Sequence, residues 1–158
     1  MGSVLGPDEG RILTLGAGLQ LCFKVDDAET DGRCSVSVVD VAAKDAGTTP
    51  HVHREHDELF FVLAGTPSFE IEAETHETQA GSFVLVSRGR RHRWWNPGEA
   101  AARVLDIHAP SFGFERFIRD LVNLSAAGEA TPEAMAELGT RHDAHFDVDV
   151  LEERYRSG

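Results

Sequence analysis

Apolar residues come in short blocks over the first two thirds of the chain. The segments LQLCFKV (19–25), CSVSVVDV (34–41), ELFFVLAG (58–65), SFEIEAE (68–74), GSFVLVS (81–87), HRWWN (92–96) and ARVLDIHA (102–109) are punctuated by Gly, Pro, Asp and Thr. Many short strands at fairly even spacing predict a β-sandwich or barrel. In SFEIEAE, Phe69, Ile71 and Ala73 alternate with Ser68, Glu70, Glu72 and Glu74, which predicts one strand with a wet face. LFFVLA is apolar at every position, so its strand is expected to be buried on both sides in the middle of the domain.

After Pro110 the period changes. Phe114, Phe117, Ile118 and Leu121 follow the i, i+3, i+4, i+7 spacing of an amphipathic helix, starting at Ser111 or Gly113. A loop, NLSAAGEA (123–130), is expected next. Then Thr131 as N-cap, Pro132 in the first helical position and Glu133 in the first turn open a second helix that ends near Gly139. The helices are expected to cover an open part of the β body. Residues 1–34 thus supply N-terminal strands joining a barrel, 35–110 its core, and 111–158 a helical tail packed on it.

Composition narrows the partners. With 158 residues, 41% of them hydrophobic, one domain can bury a core without disulfides. The net charge of −12 opposes binding to nucleic acid or an anionic membrane, and no window approaches the roughly 18 apolar residues of a membrane span. The short basic cluster SRGRRHRWW (87–95) is expected to be a solvated strand or a local substrate contact. Cys22 and Cys34 form no framework and no secretion signal is present, which fits a soluble, cytoplasmic protein.

The candidate chemistry sits in HVHREHDELFFVLAG (51–65). His51 and His53 are two apart and project to one face of an extended segment. Glu58 would point the other way on a continuous strand, so a turn or bulge around REHD must bring it back. Two imidazoles and a carboxylate converging make sense around a divalent transition metal, and His92 on a later strand could close the site.

These residues resemble the two motifs of the cupin superfamily. Gly47, His51, His53, Glu58 and Gly65 match the first, and Gly81, Gly89, His92 and Asn96 the second. Ser87 stands where the motif has proline, and three residues instead of five separate Gly47 from His51, departures that touch turns and not ligands. The resemblance covers about residues 35 to 122 and extends to small single-domain cupins of the quercetinase-like kind. It implies an all-β, double-sheet jelly-roll barrel with a C-terminal helical tail. It also implies one metal per chain (Fe, Mn, Ni, Cu or Zn) held by His51, His53, Glu58 and His92, and a homodimer.

Other residues are weighed against that frame. Trp94 shares the parity of His92, so it is expected to point inward, either as core or as a stacking surface for an aromatic substrate, while Trp95 should support a sheet or subunit contact. Phe60, Val62, Phe69 and Ile71 are the other expected pocket walls. Catalytic candidates are Glu58 and His108, the latter a general acid or base or simply hydrogen-bonded at a strand end. His56 is expected to be exposed or to support the ligands, Asp57 to face solvent, and His76, His142 and His145 to carry no chemistry. The expected function is O₂-dependent dioxygenation of a small aromatic or enolic substrate. The alternatives are non-redox cyclisation or isomerisation of an aromatic polyketide with zinc, or a metal-stabilised binding module.

Overall fold

The computed structural model describes residues 3–157, so the extreme ends of the two terminal segments lie outside the described residues. Six strands form one antiparallel sheet in the order β1 (Arg11–Leu15), β2 (Leu19–Val25), β3 (Ser35–Val41), β10 (Ala102–Ala109), β5 (Asp57–Ala64) and β8 (Phe83–Val86). Five form the other: β11 (His145–Phe146), β4 (His51–Val52), β9 (Arg91–Trp95), β6 (Ser68–Ile71) and β7 (Glu74–Glu77). A short helix α1 (Asp27–Thr30) links β2 to β3, and α2 (Phe114–Ala127), α3 (Pro132–Arg141) and α4 (Val148–Ser157) follow the barrel strands. The fold is the expected double-sheet jelly roll with a C-terminal helical region. Among the described residues no helix is long and apolar enough to cross a membrane.

Strict alternation builds the interior. On β10, Ala102, Val104, Asp106 and His108 are buried while their neighbours are half-buried, so one strand face carries apolar wall at one end and ionisable groups at the other. On β5, Glu58, Phe60 and Val62 point in by the same rule. Phe60 meets Phe69 of β6 and Trp94 of β9 at ring distances of 5.0 and 5.7 Å, which ties the two sheets together.

Three expectations need correction. β5 is not buried on both sides: Phe61 and Leu63 are 40% and 43% exposed and continue into Phe83 and Leu85 of β8, 60% and 51% exposed, as an uncovered apolar row. The strand's apolar run reports its inner face and this row together. SFEIEAE is not one strand, because the chain turns at Glu72 (φ 58°) and Ala73 and returns as β7, pairing Ile71 with Glu74. Finally, α2 continues through the expected loop to Ala127. Ala126 and Ala127 favour the helix, and Gly128 ends it in the left-handed conformation with its N–H on the Leu124 and Ser125 carbonyls.

The tail does more than pack. Helix α3 runs to Arg141, and β11 then adds to the five-stranded sheet, pairing His145 with Val52 and Phe146 with His51. Two glycines allow close approaches near the site. Gly47 (φ 68°) lies where a Cβ would run into the Trp94 carbonyl, and at Gly65 (φ 80°) a Cβ would stand 2.7 Å from Ala102 Cα.

Candidate metal centre

Strand pairing sets the first two imidazoles. His51 on β4 lies opposite His92 on β9, and their rings are 4.3 Å apart. The chain leaves β4 after Val52, passes His53, turns through the polar residues Arg54 and Glu55, and re-enters as β5 with Glu58 pointing inward. That turn is held by Asp143, from the segment between α3 and β11. One of its carboxylate oxygens accepts the Arg54 N–H (2.9 Å), and the other accepts those of Glu55 (2.8 Å) and His56 (3.2 Å).

Three Nδ1 atoms are committed to carbonyls. His51 donates to Thr49 O (2.8 Å), His53 to Asp143 O (2.7 Å) and His92 to Arg90 O (3.1 Å). Each Nε2 is left as the metal-facing nitrogen, the orientation that second hydrogen bonds impose on ligating histidines. Glu58 Oε2 lies 2.6 Å from His92 Nε2 and 3.1 Å from His53 Nε2, and one donor atom from each of the four residues falls within 4.8 Å of the others. All four side chains are buried. Three oriented imidazole nitrogens around a carboxylate, with no lysine or arginine among them, fit a divalent transition metal.

The electrostatics agree with a site built for a cation. Burial, then the neighbouring His92 and His53, push His51 well below the usual histidine range. Burial alone would raise Glu58, but the surrounding imidazoles outweigh it and hold the carboxyl well below its usual range. Burial also pulls His53 down, yet its hydrogen bond to Glu58 and that group's charge reverse the sign and leave it raised. The 3.1 Å hydrogen bond between His53 Nε2 and Glu58 Oε2 needs a proton that a divalent ion bound to both atoms would displace.

A second buried group adjoins the first. His108 Nε2 is 3.4 Å from Glu58 Oε1 and 3.3 Å from Asp106 Oδ2, and its Nδ1 is 2.9 Å from His56 Nε2. His56 Nδ1 reaches Asp143 Oδ2 at 2.8 Å. Phe114, at the start of α2, lies flat on the His108 ring at 3.6 Å. His108 and His56 are each pushed down to about 3, chiefly by burial, so both rings are neutral at pH 7. Asp106 is raised well above the carboxylate range by burial and then by Glu58. His56 is therefore not an exposed turn residue: it is only 1% exposed and part of this group.

Both groups open onto a cavity of about 520 Å³. Its walls include Leu21, Trp94, Phe117, Leu121, Met135 and Phe146, and no lysine or arginine lines it among the described residues. Of the five expected pocket residues, only Trp94 is on its surface. Phe60, Val62 and Phe69 are buried in the core, with Phe69 stacked on the Trp94 ring at 5.9 Å, and Ile71 packs against that core. The cavity opens instead toward α2, α3 and β11, a direction that strand parity does not specify.

The basic cluster is neutralised. Arg88 pairs with Asp57 at 2.9 Å, Arg91 and Arg93 meet Glu70 at 3.4 and 2.9 Å, and Arg93 covers Trp95 at 4.7 Å. It is solvated strand, and Trp95 supports it. Sequence reasoning missed Asp106 and Asp143. The parity of β10 placed Asp106 with His108, whereas nothing in the sequence tied Asp143 to a turn 87 residues away.

Comparison with known proteins places this architecture. A family described as "Cupin domain" matches residues 37–108. The uncharacterised protein SCO3923 of Streptomyces coelicolor is 36% identical over 76 residues, 46% of this chain and 69% of that protein. The chain spans only 29% and 57% of two other curated relatives. In three dimensions it is similar to KdgF from Halomonas sp. (TM-score 0.61, 22% identity, covering 70% of this chain and 94% of that one). It is also similar to the polyketide cyclase RemF from Streptomyces resistomycificus (TM-score 0.60, 17% identity, 69% and 80% covered). These structural likenesses establish the fold, and together with the domain match and the two motifs they make the chain a member of the cupin superfamily.

Proposed function

We propose that the chain is a metal-dependent enzyme that moves protons on a small, largely apolar, enolic or phenolic molecule, cyclising or isomerising it. One observation carries the reading: the donor set and the His108–Asp106 pair share the floor of one apolar cavity whose described wall residues include no lysine or arginine. Phosphorylated or carboxylated substrates would find no lysine or arginine among the described residues there and only the bound ion as counter-charge. A flat aromatic would find Trp94, Phe117 and Phe146.

His51, His53, Glu58 and His92 would hold the ion, and a bound divalent ion supplies Lewis acidity that polarises a substrate oxygen. The chain supplies the rest. His108 and Asp106 hold one proton between Nε2 and Oδ2 beside Glu58, where it can be taken from one position of the substrate and returned to another. Helices α2 and α3 line the cavity's apolar side, where Phe117, Leu121 and Met135 would pack against the substrate. The name of the Streptomyces resistomycificus relative, a polyketide cyclase, fits this reading.

Dioxygenation of the same class of compound is the second reading. The donor set favours it, because three imidazoles and a carboxylate suit Fe, Mn, Ni or Cu as well as Zn. Oxygen-electrode traces combined with product analysis separate the two. Turnover of an enolisable aromatic polyketide by zinc-loaded protein without oxygen uptake supports proton chemistry. Oxygen uptake with flavonols by the Fe-, Mn-, Ni- or Cu-loaded protein, lost in Glu58→Ala, supports dioxygenation. No turnover with any metal would leave a binding module.

Metal loading should also be visible as stability. An ion present at 100 times its Kd stabilises the native state by about 2.7 kcal/mol. For a chain of this size that raises Tm by roughly 5–10 °C. Scanning calorimetry with and without a chelator measures it, and an unchanged Tm would count against the site.

A further inference from the structure

Asp143 does not line the cavity, yet an unbroken line of hydrogen bonds joins it to the cavity floor. Its Oδ2 faces His56 Nδ1 at 2.8 Å, His56 Nε2 faces His108 Nδ1 at 2.9 Å, and His108 Nε2 faces Asp106 Oδ2 at 3.3 Å. Each link needs one donor and one acceptor. Asp143 takes the N–H groups of Arg54, Glu55 and His56, as an ionised, acceptor-only carboxylate does, so the proton at the first link belongs to His56 Nδ1.

The order of the remaining protons follows. The His56 ring lies between His53 (4.0 Å) and Phe112 (5.5 Å), where a second ring proton would place a charge among other imidazoles inside the protein. Its Nε2 is therefore a lone pair. The 2.9 Å link then requires His108 Nδ1 to donate, and His108 Nε2 is left as the acceptor in its link to Asp106 Oδ2, with its lone pair on the cavity side of the ring. We infer that Asp143 is a positioning residue: from the C-terminal segment, through His56, it decides which nitrogen of His108 presents its lone pair to the cavity.

The role given to His108 rests on the proposed function, but the proton placement can be read without any substrate. Nitrogen chemical shifts of the histidine rings, recorded by NMR on zinc-loaded, ¹⁵N-labelled protein, distinguish the two neutral forms and the cation. His56 and His108 should both carry their proton on Nδ1. In His56→Leu, which keeps the three backbone bonds of Asp143, the His108 proton should move to Nε2, and Asp143→Ala should do the same. Turnover should fall in both variants on the order of 10²-fold or more, and in His56→Leu, which keeps the ligand turn's bonds to Asp143, zinc content should hold.

A wild-type His108 protonated on Nε2 or on both nitrogens overturns the inference, and so does a His108 proton that stays on Nδ1 in the two variants. The expected proton placement with no turnover of any substrate would instead sink the proposed function alone. If Asp143→Ala fails to fold, the wild-type spectrum and His56→Leu still decide.

Discussion

His92→Ala should emerge from purification without its tightly held metal. Metal content measured by elemental analysis is expected to fall from about one ion per chain to a small fraction of that. Loss of a mere hydrogen-bond partner outside a ligand set weakens metal binding 10- to 100-fold, and removing a ligand must exceed that. The geometry makes His92 a demanding test. Its Nε2 is the nearest imidazole nitrogen to Glu58, at 2.6 Å, and the Arg90 carbonyl fixes the ring from the other side. Without it, two imidazoles and a carboxylate are left, and the side of the site that β9 supplies is open. His76→Ala, at a half-exposed position on β7, should keep its metal and serves as the control. Circular dichroism must show both variants folded; metal content in folded His92→Ala equal to that of the control would mean that the ligand set is wrong.

Phe60→Ala should be the most costly single change in the barrel. The side chain is fully buried, meets Phe69 and Trp94 from the opposite sheet, and does not line the cavity. Large aromatic truncations of this kind cost about 3–5 kcal/mol, because lost transfer energy and the hole left behind add. For a chain of this size the expected drop in Tm is roughly 6–20 °C. Denaturant unfolding followed by tryptophan fluorescence gives the same quantity from a midpoint shift. The metal should still bind, since Phe60 contributes to the sheet contact and not to the donor set. A drop below about 1 kcal/mol would show that the two sheets are held together elsewhere.

Much of this architecture is written in short-range pattern. Period-two burial on β10 and β5, the helical spacing of Phe114, Phe117, Ile118 and Leu121, and the His-x-His, turn, Glu order all report local geometry that physics ties to residue spacing. Two kinds of information are absent from that pattern. Burial on both sides of β5 depended on whether anything covers its outer face, and the apolar run LFFVLA is the same whether or not something does. The cavity walls depended on where α2, α3 and β11 settle, so Phe60, Val62 and Phe69 appeared as pocket while Phe117, Met135 and Phe146 went unnoticed. His56 shows the same limit. Its turn is polar and looks exposed until Asp143 arrives from far along the chain to bury it.

That distance has a consequence for how the protein is made. His53 and Asp143 are 90 residues apart, and β10, the last strand of the six-stranded sheet, ends at Ala109. Ribosomes add roughly 5–20 residues per second, so Asp143 is added about 2–7 s after Ala109. Until Asp143 is added, the chain has its histidines but not the carboxylate that accepts the N–H groups of their turn. The three hydrogen bonds that hold the turn at Arg54, Glu55 and His56 cannot form before then.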